Sequence, residues 1–122
     1  MGKLLWKRVY DLPEKGDGFR ILADRLWPRG ISKEKACISE WAKEITPSSS
    51  LRQAYHRGEI DYKTFSELYA KELVQNPCTK DFTDKIKAEL KNRNVTVLYA
   101  NKDVEQSHIP VLQRFIEKVM NG

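Results

Sequence analysis

Val95-Thr96-Val97-Leu98-Tyr99-Ala100 is short, free of charge and rich in β-branched and aromatic residues. That composition fits a central strand covered on both faces of a sheet. A second run, Phe19-Arg20-Ile21-Leu22-Ala23-Asp24-Arg25-Leu26, is mostly apolar through Ala23, and Pro28 forbids ladder pairing beyond Trp27. Helical patterns fill the interval between the two runs, so they are expected as parallel neighbours joined by a helical crossover, with their C-terminal ends on one side. A third strand is read over Lys3 to Tyr10, ending at Asp11-Leu12-Pro13 and the turn residues Gly16-Asp17-Gly18. Its link to the 19–26 strand is too short for a parallel crossover, so direct pairing of those two would be antiparallel.

Ser32 can cap a short turn through Lys33-Glu34-Lys35-Ala36, and Pro47-Ser48-Ser49-Ser50 supplies a capping hydroxyl for a helix from about Leu51 to Arg57, stopped by Gly58. Asp61 caps a longer helix in which Tyr62, Phe65, Leu68, Tyr69 and Leu73 share a face, ended by Asn76-Pro77. Thr79 is read as the cap of the next, with Phe82, Ile86 and Leu90 recurring every fourth residue up to about Asn94. The last helix starts near Ser107, tolerates Pro110 in its first turn and buries Ile109, Leu112, Phe115, Ile116 and Val119. The expected fold is α/β: one small layered domain over residues 1–122, with a short, mostly parallel sheet flanked by helices.

Composition narrows the function. At 122 residues and 40% hydrophobic content, the chain can build one core without staples. No run reaches the roughly 18 to 20 apolar residues of a membrane span, the N-terminus lacks a signal-peptide pattern, and Trp6 stands where a myristoylation motif needs Ser or Thr. A cytoplasmic protein with no membrane partner is expected. Cys37 and Cys78 have neither CxxC nor metal spacing and read as reduced thiols. The net charge of +5 is spread evenly, with 12 basic and 9 acidic residues in 1–61 against 10 and 8 in 62–122. No basic stripe results, and nucleic acid is not a favoured partner. Two histidines without HxH or HExxH spacing form no zinc site. Gly16-Asp17-Gly18 precedes a strand rather than linking strand to helix, so no cofactor is expected. Ser48 to Ser50 lack a nucleophile elbow.

In open α/β sheets ligands bind beyond the C-terminal ends of the strands. That rule selects Asp24, Arg25, Trp27 and Arg29 after one strand, and Tyr99, Asn101, Asp103, Ser107 and His108 after the other. Arg25 and Arg29 offer planar forks that grip an oxyanion through two parallel hydrogen bonds, with Ser107 at a helix start and Arg52 as further anion ligands. Arginine also ties loops to carbonyls, so anchoring is the competing reading. Asp24 and His108 are the candidate catalytic groups. An imidazole titrates near neutrality, and Asp24 serves as acid, base or ligand orienter, or else as a structural partner of Arg25 or Arg52. Trp27 reads first as packing. His56 reads as a helix-end cation.

Arg8-Val9-Tyr10-Asp11, Gly18-Phe19-Arg20, Asp24-Arg25-Leu26-Trp27-Pro28-Arg29-Gly30, Pro47-Ser48 with Leu51-Arg52, Glu72-Leu73, and Thr96-Val97-Leu98-Tyr99-Ala100 with Asp103 resemble the YeaO-like branch of the domain-of-unknown-function 488 family. The resemblance runs from about Lys7 to Ile116. It implies the fold and a polar site at the last helix start, but no established activity. The wider family often has a Cys-His pair where this chain has Ser107-His108, and the branch tends to have His-Asn where it has Gln106-Ser107. The implied site therefore lacks a thiol. The function expected is binding of an anionic small metabolite, a phosphate ester, nucleotide or carboxylate, with or without turnover. The alternatives are a non-catalytic interaction or regulatory module meeting an acidic protein partner, and a weak nucleic-acid binder.

Overall fold

The computed structural model describes residues 2–121. Its elements run β1 (Leu4–Arg8), β2 (Phe19–Leu22), α1 (Lys33–Ala36), β3 (Glu40–Trp41), α2 (Ser49–His56), α3 (Tyr62–Gln75), α4 (Pro77–Leu90), β4 (Val95–Tyr99) and α5 (Ile109–Asn121), with single 3-10 turns at Lys15–Asp17, Lys43–Ile45 and Val104–Gln106. The four strands form one all-parallel sheet in the order β1-β4-β2-β3. β2 and β4 are the expected parallel neighbours, with Phe19 opposite Val95 and Leu22 opposite Leu98.

β1 and β2 do not pair at all. β4 lies between them and is parallel to both, which removes the antiparallel contact that their short link would otherwise impose. β2 also ends at Leu22 rather than Leu26. Ala23 N–H still reaches the Leu98 carbonyl, but the Asp24 carboxylate takes the Ala100 N–H and the Asp24 carbonyl takes the Trp41 indole, so side chains replace the ladder there. The two-residue β3 lies beyond the short turn read through Ala36, where the sequence suggests no element. Its register on Ile21 and Leu22 comes from tertiary contact, since Glu40-Trp41 has no strand pattern of its own.

Ser32, Ser48 and Asp61 cap α1, α2 and α3 as their spacing requires. α4 differs, because Asn76 rather than Thr79 is its cap. The Asn76 side chain accepts the Cys78 N–H at 2.9 Å and Pro77 fills the first helical position, leaving Thr79 inside the first turn and buried.

Alternation along the strands divides the core. Phe19, Ile21, Val95 and Val97 pack against Leu51, Phe65, Tyr69, Leu73, Ile86, Leu112 and Ile116 from the long helices. Leu22, Leu98 and Val9 face the other way, under Ala36, Trp27, Ile31, Ile38 and Trp41. That second face is apolar only towards the C-terminal ends of the strands. Towards their starts it carries buried polar groups. Arg20, 4% exposed, pairs with Asp17 and donates to the carbonyls of Ala36 (2.9 Å) and Cys37 (3.2 Å). Asp17 also takes Lys7 Nζ at 3.0 Å and the Glu14 N–H at 3.1 Å, while Thr96 Oγ1 donates to the Asp17 carbonyl. Asn94 joins the strand starts, accepting the Lys3 N–H at its side chain and the Phe19 N–H at its carbonyl.

Candidate functional site

Because β2 and β4 run parallel, their C-terminal ends deliver the 24–29 and 100–108 segments to one edge of the sheet, and the start of α2 closes the third side. The result is a cleft of about 390 Å³. Asp24, Arg25, Trp27, Arg29, Arg52, Asn101, Ser107 and His108 all line it. Tyr99 and Asp103 do not. Tyr99 is the last ladder residue, opposite Arg8, and Asp103 begins the exposed 3-10 turn, its N–H held by Asn101.

The arginines lack carboxylate partners. None of Arg25, Arg29 and Arg52 forms a salt bridge among the described residues. Arg25 Nε donates to the Pro47 carbonyl at 3.2 Å, and Arg52 Nε is buried without a hydrogen-bond partner. Glu72 is occupied elsewhere, its two oxygens accepting the Ser48 N–H (2.8 Å) and hydroxyl (2.6 Å) at the start of α2.

Carbonyl oxygens around the cleft are covered by side-chain donors. His108 Nε2 lies 2.6 Å from the Ala23 carbonyl, the Trp41 indole donates to Asp24, and the Tyr10 hydroxyl donates to Arg29. Arg8 donates to Ala100, Tyr55 to Gln106 and Tyr62 to Ser107. Each bond occupies one lone pair of a carbonyl at the rim, and Arg25, Arg29 and Arg52 bring positive charge to the lining.

A carbonyl can only accept, so His108 carries its proton on Nε2. Burial pushes its pKa below the ordinary 6.5, against the opposing pull of the Ala23 carbonyl and the Asp24 charge 3.8 Å away. Burial also raises the Asp24 carboxyl, opposed by His108 and the Ala100 N–H. Asp24 pairs with neither Arg25 nor Arg52. One of its oxygens accepts the Ala100 N–H at 2.9 Å and the other has only His108 near it.

The lowered His108 pKa has a measurable sign. Between pH 6.5 and its folded value the unfolded chain binds the extra proton, so stability is present above pH 6.5 and falls as pH drops through that window. Denaturant midpoints from pH 7.5 to 5.5 should decline, and His108→Gln, which keeps a donor for Ala23 without titrating, should flatten the decline. An equally steep decline in that variant would place the effect in other groups.

The Ser107 hydroxyl is engaged within its own turn. It donates to the Val104 carbonyl at 2.6 Å and accepts the Ile109 N–H at 3.1 Å, so it serves as a buried brace of the α5 start. Trp27 lines the cleft but is fixed, its indole N–H on the Ile31 carbonyl and its ring edge-to-face with Trp41 at 5.5 Å. Sequence reading missed Tyr10, Thr46, Tyr55, Phe65 and the exposed His56, all of which line the cleft. Only the Ser48 and Arg52 segment signalled that α2 would close this side. Among the described residues no three His, Cys, Asp or Glu side chains gather as a metal ion needs. Among the described residues no helix is long and apolar enough to cross a membrane.

Residues 3–121 match the family model described as "Inactive DUF488-N3 subclade". The chain is 46% identical over 114 residues to "Uncharacterized protein YeaO" of Escherichia coli (strain K12), covering 93% of this chain and 96% of that one. It is 33% identical over 110 residues to "Uncharacterized protein Rv3073c" of Mycobacterium tuberculosis (strain ATCC 25618 / H37Rv), covering 89% of each. No solved structure matches the chain significantly. With nearly its whole length matched by that model and by these relatives, the chain belongs to the DUF488 family as a YeaO-like member.

Proposed function

We propose that the cleft binds an anionic small molecule, a phosphate ester, nucleotide or carboxylate, through Arg25, Arg29 and Arg52. The observation that carries this reading is the convergence of three arginines without salt bridges, one with a buried, unpartnered Nε, in a cleft whose carbonyls are already covered. A bidentate guanidinium gives an oxyanion two charge-assisted hydrogen bonds, and the low polarity of a half-closed cleft strengthens them. Binding is favoured over turnover. The matching family model carries the word "Inactive", a braced Ser107 stands where the resemblance to the wider family often implies a Cys, and His108 Nε2 is committed to a carbonyl.

A thermal-shift screen of phosphate esters, nucleotides and small carboxylates should find an anion that stabilises the protein. At about 100 times the dissociation constant the gain is about 2.7 kcal/mol. In a domain of this size that moves Tm by roughly 3 to 6 °C per kcal/mol. Arg25→Ala should abolish the shift. Arg29→Lys should shrink it, because lysine keeps the charge and loses the planar fork. A panel with no hit would favour an acidic protein partner instead. Affinity for duplex DNA that collapses between low and moderate salt would favour the nucleic-acid alternative.

A further inference from the structure

Asp24 stands apart from everything else in the cleft. It is a carboxylate that lines the same space as three arginines, and it forms a salt bridge with none of them among the described residues. Its Oδ2 is committed to the Ala100 N–H. Its Oδ1 has no hydrogen-bond partner among the described residues, since His108 Nε2 lies 3.8 Å away and is engaged with the Ala23 carbonyl at 2.6 Å. The Asp24 side chain is 15% exposed and lines the cleft. A carboxylate oxygen in such surroundings is stabilised by one donor brought from outside.

We propose that Asp24 is a specificity-determining residue of the cleft, accepting through Oδ1 a hydrogen bond from a hydroxyl of the bound molecule, so that the ligand class is a hydroxylated phosphate or carboxylate. The inference rests on the anion reading above and narrows it.

Counting donors favours a hydroxyl over an ammonium. A hydroxyl brings one O–H donor to the unpartnered Oδ1 and no charge, whereas an ammonium brings three donors and a positive charge. The carbonyls of Ala23, Asp24, Arg29, Pro47, Ala100 and Gln106 already accept from side chains. An ammonium would keep donors poorly matched beside three guanidinium groups, and a hydroxyl would not.

The Asp24→Asn variant separates ligand recognition from a structural role by construction. Asparagine has one oxygen, and the Ala100 N–H that Asp24 now satisfies claims it. The amide NH2 is then left facing the cleft, so an acceptor becomes a donor while shape and the strand-end bond persist. The anion itself should bind no worse, because a negative charge has been removed beside it.

The test is calorimetric titration of the intact protein with two sets of probes: 3-hydroxypropyl phosphate, n-propyl phosphate and phosphoethanolamine, then glycolate, acetate and glycine. In the wild type the hydroxylated member of each set should bind about 10-fold or more tighter than its deoxy partner, as expected of a hydrogen bond to a charged group. In Asp24→Asn that preference should fall to about 3-fold or less, while n-propyl phosphate binds at least as well as before. A thermal melt showing that Asp24→Asn remains folded accompanies the titration. Equal binding of both members, abolished by Arg25→Ala, would overturn the role of Asp24 and leave the anion reading standing. Tightest binding of phosphoethanolamine or glycine would overturn it in favour of a zwitterionic ligand. No binding of any probe, or binding that survives Arg25→Ala, would overturn both readings together.

Discussion

Arg20→Ala should lower the free energy of unfolding by about 3 to 5 kcal/mol, the loss seen when one partner of a buried, hydrogen-bonded ion pair is removed. Arg20 is 4% exposed and spends its guanidinium on Asp17 and on the carbonyls of Ala36 and Cys37. Alanine leaves the buried Asp17 carboxylate with Lys7 and one backbone N–H, and leaves two carbonyls at the end of α1 uncovered. One belongs to Cys37, held at φ 50°, where a side chain is already disfavoured. Urea titration reads the result as a fall in midpoint at constant slope. As a contrast, Lys80→Ala breaks an exposed pair with Asp84 and should leave the midpoint almost unchanged. Similar effects of the two substitutions would show that the Asp17–Arg20 pair contributes little.

Acid should reveal the same group. Burial pushes the Asp17 carboxyl up, but the Glu14 N–H, Lys7 and Arg20 together outweigh it and hold the pKa below the ordinary 3.8. Its contribution is therefore complete above that value and is lost as pH falls through the lowered one.

Gly18→Ala should destabilise by about 2 to 5 kcal/mol, combining left-handed backbone strain with a close contact. Gly18 sits at φ 66°, and a Cβ there would lie 2.1 Å from the Asn94 carbonyl oxygen and 2.8 Å from its carbon. That oxygen accepts the Phe19 N–H at 2.8 Å, the bond that begins the β2–β4 ladder, so relief of the clash pulls the two strands apart where they join. Gly16→Ala is the matched control, since nothing lies within 4 Å of a Cβ at that position. Chemical denaturation of both variants decides the point. A loss at position 18 no larger than that at position 16 would show that the neighbouring chain yields easily.

The parallel pairing of β2 and β4 was legible because Ile21, Val97 and their neighbours are apolar on both faces and are separated by helical periodicity. The position of β1 was not, since a short link says only that direct pairing would be antiparallel, and whether a later strand inserts between two earlier ones is decided by burial of Leu4 and Trp6 against the helices. Thr79 was misread because Thr and Asn both cap well, and Pro77 favours the earlier start. Around the cleft, residues on the strand ends were found by topology. Tyr10, Tyr55 and His56 arrive from elements whose approach depends on tertiary packing, and no local pattern marks them. Arg20 and Asp17 were unreadable as a pair for the same reason, since a charged residue inside an apolar strand carries no sign of its partner.

The central place of β4 has a consequence during synthesis. Leu4 pairs with Val95, so the amino-terminal strand emerges from the ribosome about 91 residues before its only sheet neighbour. At roughly 5 to 20 residues per second, that delay is on the order of 5 to 20 s. Throughout it Leu4, Leu5 and Trp6 have no ladder to join, and β2 lacks its main partner as well. Most of the chain is thus synthesised before β4, which joins β1 to the β2–β3 pair, exists, and the four-stranded sheet can close only after Val95 to Tyr99 have been made.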